Sequence, residues 1–336
     1  MILITGGLGF IGSHIVVDFI ENGYSVCIVD NLCNTDKETL NNIEKITKTK
    51  IPYYENDIRD FNALLRIFSE NNINSVIHLA GLKSVYDSVV NPIDYYSNNF
   101  QGTLNLLEVM KKKNIFKFIF SSSACVYKSE MPLPWNEKTE TGNCITTYGK
   151  TKYFIEQMLM DLSKSDQKWK IGLLRYFNPT GAHESGLLGE NPKKNASNLM
   201  PYLCKVALGE FSKLNIYGND YKTKDGTGVR DYLHVQDLAA GHRLALEKLE
   251  FMTGYAIWNF GSGKGYSVLE MIKAFEKVSS IKIPYDFKPR RIGDQDIYYT
   301  DNSRAKKELN WHPKRDLSKI MIDVWNYIKK RKYQKL

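Results

Sequence analysis

The first twelve residues, MILITGGLGFIG, leave few folds open. Ile2, Leu3 and Ile4 form an unbroken apolar run suited to a buried parallel strand, and it stops at a glycine turn before Phe10 and Ile11 open a helical pattern to Asn22. Gly6 permits a tight turn, Gly9 lets the backbone approach a pyrophosphate, and Gly12 lets the helix lie close on the strand, its amino terminus facing the anion. Two registers fit: Gly6, Gly9 and Gly12, or Gly7, Gly9 and Gly12. A plain glycine-rich turn has the same look, so the next element decides. Ser25 to Val29 reads as a second apolar strand ending at Asp30, 18 residues beyond Gly12, close to the roughly 20 at which an acid holds a ribose diol. An acid there repels a 2′-phosphate, and Asn31, Leu32, Cys33 and Asn34 bring no Arg or Lys, which favours NAD over NADP.

The alternation continues. A polar segment to Lys50 reads as a helix with loops, and strands at Ile51 to Tyr54, Ser75 to Leu79, Phe116 to Phe120 and Ile171 to Tyr176 alternate with helices ending at Glu70, running from Pro92 to Lys113, and from Tyr148 to about Lys164. This is the pattern of an α/β fold with a doubly wound parallel Rossmann sheet. Asp57 suits an adenine amino group or a helix cap, and Asp60 is the better cap. The small residues of Ala80-Gly81-Leu82-Lys83 let a cofactor cross the sheet edge. His78, within an apolar strand, reads as a core residue. Asn98 and Asn99 suit a helix interior poorly, so one of them contacts a ligand or backbone. Beyond Gly181 the pattern breaks into loops, a helix from Met200 to Gly209, a strand from Lys213 to Tyr217 and a last helix from Leu317 to Lys330. We expect a Rossmann domain over residues 1–178 and a smaller mixed α/β domain over 179–336, with segments crossing back.

A chain of 336 residues can bury a full core. Its net charge of +9 comes largely from lysines at 45–50, 111–117 and 329–335. No aromatic stripe accompanies them, so they read as solvated helix faces rather than a nucleic-acid surface, and they favour an anionic substrate. The five cysteines are odd in number and widely spaced, which points to a reducing compartment and no disulfide framework. With a strand starting at residue 2 there is no room for a cleaved signal, and no apolar run nears the ~20 residues needed to cross a bilayer. A cytoplasmic protein without membrane, nucleic-acid or metal partners is expected.

Tyr148 and Lys152 stand four apart, which puts them on one helix face. A phenol near pKa 10 is a poor base at neutral pH. Bringing it to about 7 takes about 4 kcal/mol, which a lysine ammonium and a nicotinamide cation can supply in a desolvated site. Y-x-x-x-K arises often by chance; what raises it is Ser123, ending a strand 25 residues upstream, and the dinucleotide turn that opens the chain. Ser123 can exchange a hydrogen bond with a substrate hydroxyl while Tyr148 takes its proton.

On these three features the chain resembles the extended short-chain dehydrogenase/reductase family. TGGLGFIGSH, VDNLCN, AGLKSV, FSSSACVY, YGKTK, LRYFNPTGAH, NLMPY, GTGVRDYLHV and PRRIGD look, in that order and over nearly the whole length, like its UDP-galactose 4-epimerase branch. The resemblance implies NAD on Gly6, Gly9, Phe10, Ile11, Gly12, Asp30, Asn31, Asn34, Asp57, Ile58, Ala80, Lys83, Asn98 and Tyr176. It implies that Tyr148 and Lys152 do the acid/base work and also hold the nicotinamide ribose, with Ser123 aiding proton movement. It places UDP on Asn178, Asn198, Leu199, Asn215, Tyr217, Arg230, Arg291 and Asp294, with Lys83, Ser123, Tyr148 and Tyr298 also contacting substrate. Guanidinium forks suit a diphosphate, and amides suit the base edge.

The implied reaction interconverts UDP-glucose and UDP-galactose, as in galactose metabolism. Tyr148 takes the 4-hydroxyl proton while C4 passes a hydride to NAD, the 4-keto sugar turns about its link to UDP, and the hydride returns to the other face. A tyrosine at position 298 implies exclusion of N-acetylated sugars. Cys125 stands where many relatives have threonine, which leaves the hydrogen bonding at the substrate hydroxyl open. The relatives also imply a homodimer through the helices near Pro92 to Lys113 and Tyr148 to Lys164. Two other readings compete. A 4,6-dehydratase needs an acid near Ser123, which Ala124, Cys125 and Val126 do not supply, and a dinucleotide-sensing regulator has no need of Tyr148 and Lys152.

Overall fold

The structure, a computed structural model, describes residues 1–192, 198–291 and 294–334. The apolar opening run is β1 (Ile2–Thr5), buried at every residue. After it come α1 (Phe10–Glu21), β2 (Val26–Val29), α2 (Lys37–Thr47), β3 (Tyr53–Tyr54), α3 (Phe61–Glu70), β4 (Ser75–His78), α4 (Val85–Val90), α5 (Pro92–Tyr95), α6 (Gly102–Lys112), β5 (Lys117–Ser123), α7 (Thr147–Ser165) and β6 (Lys170–Tyr176). The chain then runs through β7 (Asn178–Thr180), α8 (Leu199–Ala207), β8 (Leu214–Tyr217), β9 (Val229–His234), α9 (Val235–Leu249) and β10 (Gly254–Phe260). It ends with β11 (Gly265–Ser267), α10 (Val268–Ser279), β12 (Tyr285–Lys288), β13 (Ile297–Tyr298), α11 (Ser303–Leu309) and α12 (Leu317–Gln334).

Seven strands form one parallel sheet in the order β10-β6-β5-β4-β1-β2-β3. Side chains alternate across it. Ile2 and Ile4 pack with Ile15, Val16 and Phe19 of α1 and Leu238 and Leu246 of α9, whereas Leu3 packs with Leu64, Leu106, Ile155 and Leu159 of α3, α6 and α7. The sheet is therefore doubly wound, and its order reverses between β1 and β4, where a crevice opens at the carboxyl ends. A smaller sheet joins β9 to β7, β11 and β13, and β8 pairs with β12. Its core is Met200, Leu203, Ile216, Met271, Phe275, Met321 and Val324. α9 packs on α1 and β10 extends the main sheet beyond β6, so Val235–Phe260 belongs to the first layer.

Three local expectations are corrected. The fifth strand runs to Ser123 rather than Phe120, because Ser121, Ser122 and Ser123 pair with Leu174, Arg175 and Tyr176. The third strand pairs only at Tyr53 and Tyr54. The segment from Pro92 to Lys113 is α5 and α6 joined by a π-type turn at Tyr96–Gln101, whose extra residue suits Asn98 and Asn99. Asn99 is the one that meets backbone: its amide donates to Leu82 O at 3.0 Å and accepts from Leu82 N at 2.8 Å. His78 is buried between the hydroxyls of Thr5 (2.7 Å) and Thr103 (2.9 Å), and Asp60 caps α3 by accepting from Ala63 N at 2.9 Å. Among the described residues no helix is long and apolar enough to cross a membrane, and no His, Cys, Asp and Glu cluster suits a metal ion.

Candidate active site

The glycine turn lies in the crevice. Gly6 has φ of +69°, and a Cβ on it would stand 2.8 Å from Ala80 N; a Cβ on Gly12 would stand 2.2 Å from Gly6 O. Backbone thus packs on backbone, which only glycine permits, and the first turn of α1, including Phe10 and Ile11, presents amides without partners inside the helix. At the end of β2, buried Asp30 accepts from Leu8 N at 3.1 Å, Leu32 N at 2.9 Å and the Thr35 hydroxyl at 3.1 Å, which ties the strand end to the turn. Asn31 donates to Asp57 at 3.1 Å, and the Arg59 guanidinium beside Asp57 holds its carboxyl down at about 2. Ile58 is buried beneath Gly102, and Ala80 N donates to Thr5 Oγ1 at 3.3 Å. Asn34 is half-buried just beyond Asp30, and Asn98 donates to Asn99 at 3.0 Å in the π-type turn. These residues share one sheet edge.

β5 carries Ser123 to the same edge, and α7 starts beside it because Thr146 caps the helix by accepting from Gly149 N at 3.2 Å. Lys152 is buried; its Nζ donates to Ser121 O at 2.6 Å and lies 5.9 Å from the centre of the Tyr148 ring. Burial draws the Lys152 ammonium down to about 8, against the opposing charge of Glu156. Burial also pushes the Tyr148 phenol up, more than the Ser123 hydroxyl draws it down. In the protein alone Tyr148 therefore stays protonated at neutral pH. Cys125 opens into the cleft with an exposed side chain, and the surrounding protein pushes its thiol up. The Tyr176 hydroxyl turns to His242 on α9.

The opposite wall comes from the smaller layer. Asn178 donates to Asp231 O at 3.2 Å and accepts from the Tyr298 hydroxyl at 3.3 Å. Arg230 and Arg291 converge on Asp294, at 3.6 and 2.9 Å, and Arg291 also covers the Tyr217 ring at 4.9 Å. Of the PRRIGD motif, residues 292 and 293 lie outside the described residues. Asn215 lies lower on β8, its amide 3.5 Å from the Tyr202 hydroxyl. Lys83 and Asn198, which precedes Leu199 at the start of α8, both reach Glu190 Oε1, at 2.8 and 3.0 Å.

Sequence reasoning missed Glu190, Trp135, Asp231 and the buried pair of Glu156 and Arg175. Of these, Glu156 carried a signal, since it stands four residues after Lys152 on the same helix face. Asp231 accepts from Ser262 N, Gly263 N and Thr300 N at 2.7, 3.0 and 3.1 Å, which fixes the loop before β11 against the segment after β13.

Residues 3–324 match the family model described as GDP-mannose 4,6 dehydratase. The chain is 50% identical over 328 residues to the UDP-glucose 4-epimerase of Haemophilus influenzae, covering 98% of this chain and 97% of that protein. The crystal structure of UDP-glucose 4-epimerase from Bifidobacterium longum, in complex with NAD+ and UDP, has a TM-score of 0.96 and 49% identity over 98% of each chain. That from Stenotrophomonas maltophila, with NAD and formylated UDP-arabinopyranose, has a TM-score of 0.96 and 42% identity over 99% of each chain. Ser123 is followed by Ala124, Cys125 and Val126, none of which is the acid an elimination requires. Sharing about half its residues with such epimerases from end to end, the chain belongs to the UDP-glucose 4-epimerases of the extended short-chain dehydrogenase/reductase family.

Proposed function

We propose that the protein is an NAD-dependent isomerase that interconverts UDP-glucose and UDP-galactose at C4 of the hexose. The observation that carries this reading is the meeting of Ser123, Tyr148 and Lys152 at the sheet edge that also holds the glycine turn. The turn fits a dinucleotide, because the space a Cβ would fill at Gly6 and Gly12 is taken by backbone and the amides of α1 face an anion. Bound NAD supplies the hydride acceptor and the second positive charge.

Tyr148 takes the proton of the 4-hydroxyl, Ser123 hydrogen-bonds that oxygen, and Lys152 steadies the phenolate. Arg230 and Arg291 hold the diphosphate by charge-assisted hydrogen bonds, with Asn178, Asn198, Leu199, Asn215, Tyr217 and Asp294 around the rest of UDP. Anchoring UDP rather than the sugar leaves the 4-keto hexose free to turn and take hydrogen on its other face. An exposed apolar face on α4, α5 and α7, formed by Val85, Tyr86, Val89, Val90, Ile93 and Phe154, supports a homodimer. Five cysteines, odd in number and widely spaced, support a reducing, cytoplasmic setting.

Purified protein given UDP-galactose and no added cofactor is expected to yield UDP-glucose. Absence of product, even with NAD supplied, overturns the reading.

A further inference from the structure

Glu156 stands two turns after Tyr148 and one turn after Lys152 on α7, so all three share the face turned to β5. Its side chain has no exposed surface. A carboxylate so placed is tolerated only when its oxygens are paired. Arg175, on β6 and itself buried, donates through Nη2 at 2.7 Å and Nε at 3.0 Å, and Ser122 Oγ donates at 2.5 Å. The Arg175 guanidinium also lies 4.8 Å above the centre of the Tyr127 ring, which fixes the pair from behind. Ser122 sits between Ser121, whose carbonyl receives the Lys152 ammonium, and Ser123, whose hydroxyl draws the Tyr148 phenol down. The carboxylate thus grips the one residue lying between the two contacts of the acid/base pair.

Several groups face Lys152. Tyr148 and Glu156 come from its own helix, Phe120 and Ser121 from β5, Cys125 from the turn that follows, and His78 from β4. Burial keeps His78 neutral, the Cys125 thiol is pushed up and stays protonated, and Arg175, paired with Glu156, adds no shift of its own at Lys152. Among these groups Glu156 alone is an anion.

We propose that Glu156 is a positioning residue for the reaction: its buried carboxylate keeps Lys152 cationic and holds the Ser121–Ser123 strand end where Tyr148 and Lys152 use it. The proposal rests on the acid/base reading of Tyr148 and Lys152. Removing the carboxylate leaves a buried ammonium with no anion near it, so Lys152 gives up its proton at lower pH. Tyr148 then loses the cation that steadies its phenolate.

The test is kcat for UDP-galactose measured against pH in the wild type, Glu156→Asp, Glu156→Gln, and the double variant Glu156→Gln with Arg175→Met, which removes both buried charges together. In the two variants without the carboxylate, the alkaline limb of kcat is expected to move by about one pH unit or more toward acid, with KM within about threefold. Glu156→Asp is expected to keep the limb near the wild-type position. A uniform fall in kcat with the limb unmoved shows a merely structural carboxylate and overturns the proposal, as does failure of all three variants to fold. Tyr148→Phe run alongside separates the two readings. If it loses activity while the limb stays in place, only the role of Glu156 fails; if it keeps the wild-type rate, the acid/base assignment itself fails.

Discussion

The indole of Trp135 lies parallel to the ring of Tyr298, tilted by 4° with centroids 5.6 Å apart. The Arg230 guanidinium covers Tyr298 from 4.6 Å, and its hydroxyl donates to Asn178 at 3.3 Å. Rings paired in this way gain about 0.5–1.5 kcal/mol beyond burial, so Tyr298 is a fixed wall. Tyr298→Cys is expected to raise kcat/KM for UDP-N-acetylglucosamine by about tenfold or more while that for UDP-galactose changes by less than about fivefold. Unchanged exclusion of the acetylated sugar removes Tyr298 from the account of specificity.

Tyr148→Phe deletes the proposed proton acceptor and nothing else on the helix face. Its kcat is expected to fall by about 10²- to 10⁴-fold with NAD retained, read by product assay and by cofactor released on denaturation.

Lys152 combines low exposure with a positive charge, and burial holds its ammonium at about 8 against an ordinary 10.5. The lowered value means that charging Lys152 costs stability below about pH 8 and that the cost fades as pH rises from 8 to 10.5. Lys152→Met is therefore expected to lose activity and yet melt higher than wild type at pH 7, with the gap closing by pH 10. A lower Tm at pH 7 shows that the bond to Ser121 O outweighs the burial of charge.

His14, His78 and His242 are buried, and burial brings them to about 3, 3 and 4. A histidine kept neutral in the fold supports stability fully above its unfolded value near 6.5, and that support is lost as pH falls below it. Three such groups give a slope of about 4 kcal/mol per pH unit between pH 6 and 4. Urea unfolding at pH 7, 6 and 5 checks this, and a slope below about 1.4 kcal/mol per unit, the contribution of one group, contradicts it.

Arg291 is half-exposed and meets Asp294 at 2.9 Å, so it contributes little to the fold. Arg291→Met is expected to raise KM for UDP-galactose by about tenfold or more with kcat within about threefold, because the lost contact is made equally in ground and transition states. A fall in kcat with unchanged KM shows instead that Arg291 acts on the reacting sugar.

On the exposed apolar face, Ile93→Asp puts a charge on the surface that supports a homodimer. Light scattering is expected to find a dimer for the wild type and a monomer for the variant, and a monomeric wild type removes the dimer.

Much of the candidate site was legible because its signals are local. Gly6, Gly9 and Gly12 answer to one turn, Asp30 to the end of one strand, and Tyr148 and Lys152 to one helical period. Asn99 was half-legible: its poor helix propensity announced a contact, while the π-type turn that makes the contact depends on Leu82, 17 residues away. Arg230, Arg291 and Asp294 were legible by resemblance, since no periodicity joins them. Glu190 gave no signal, because a single exposed-looking acid gains meaning only when Lys83 and Asn198 reach it from separate segments.

Up to Tyr176 the sequence by itself determined most of the elements that form and the candidate residues each carries, since strand alternation, glycine turns, caps and i, i+4 spacing act over a few residues. Only the tertiary structure decided that Val235–Phe260 would return to the first layer, that Trp135 would brace Tyr298, and that Glu156 would find Arg175 beneath Lys152. Those choices are made by burial and charge pairing between distant segments, and they exist only once the loops between them have closed.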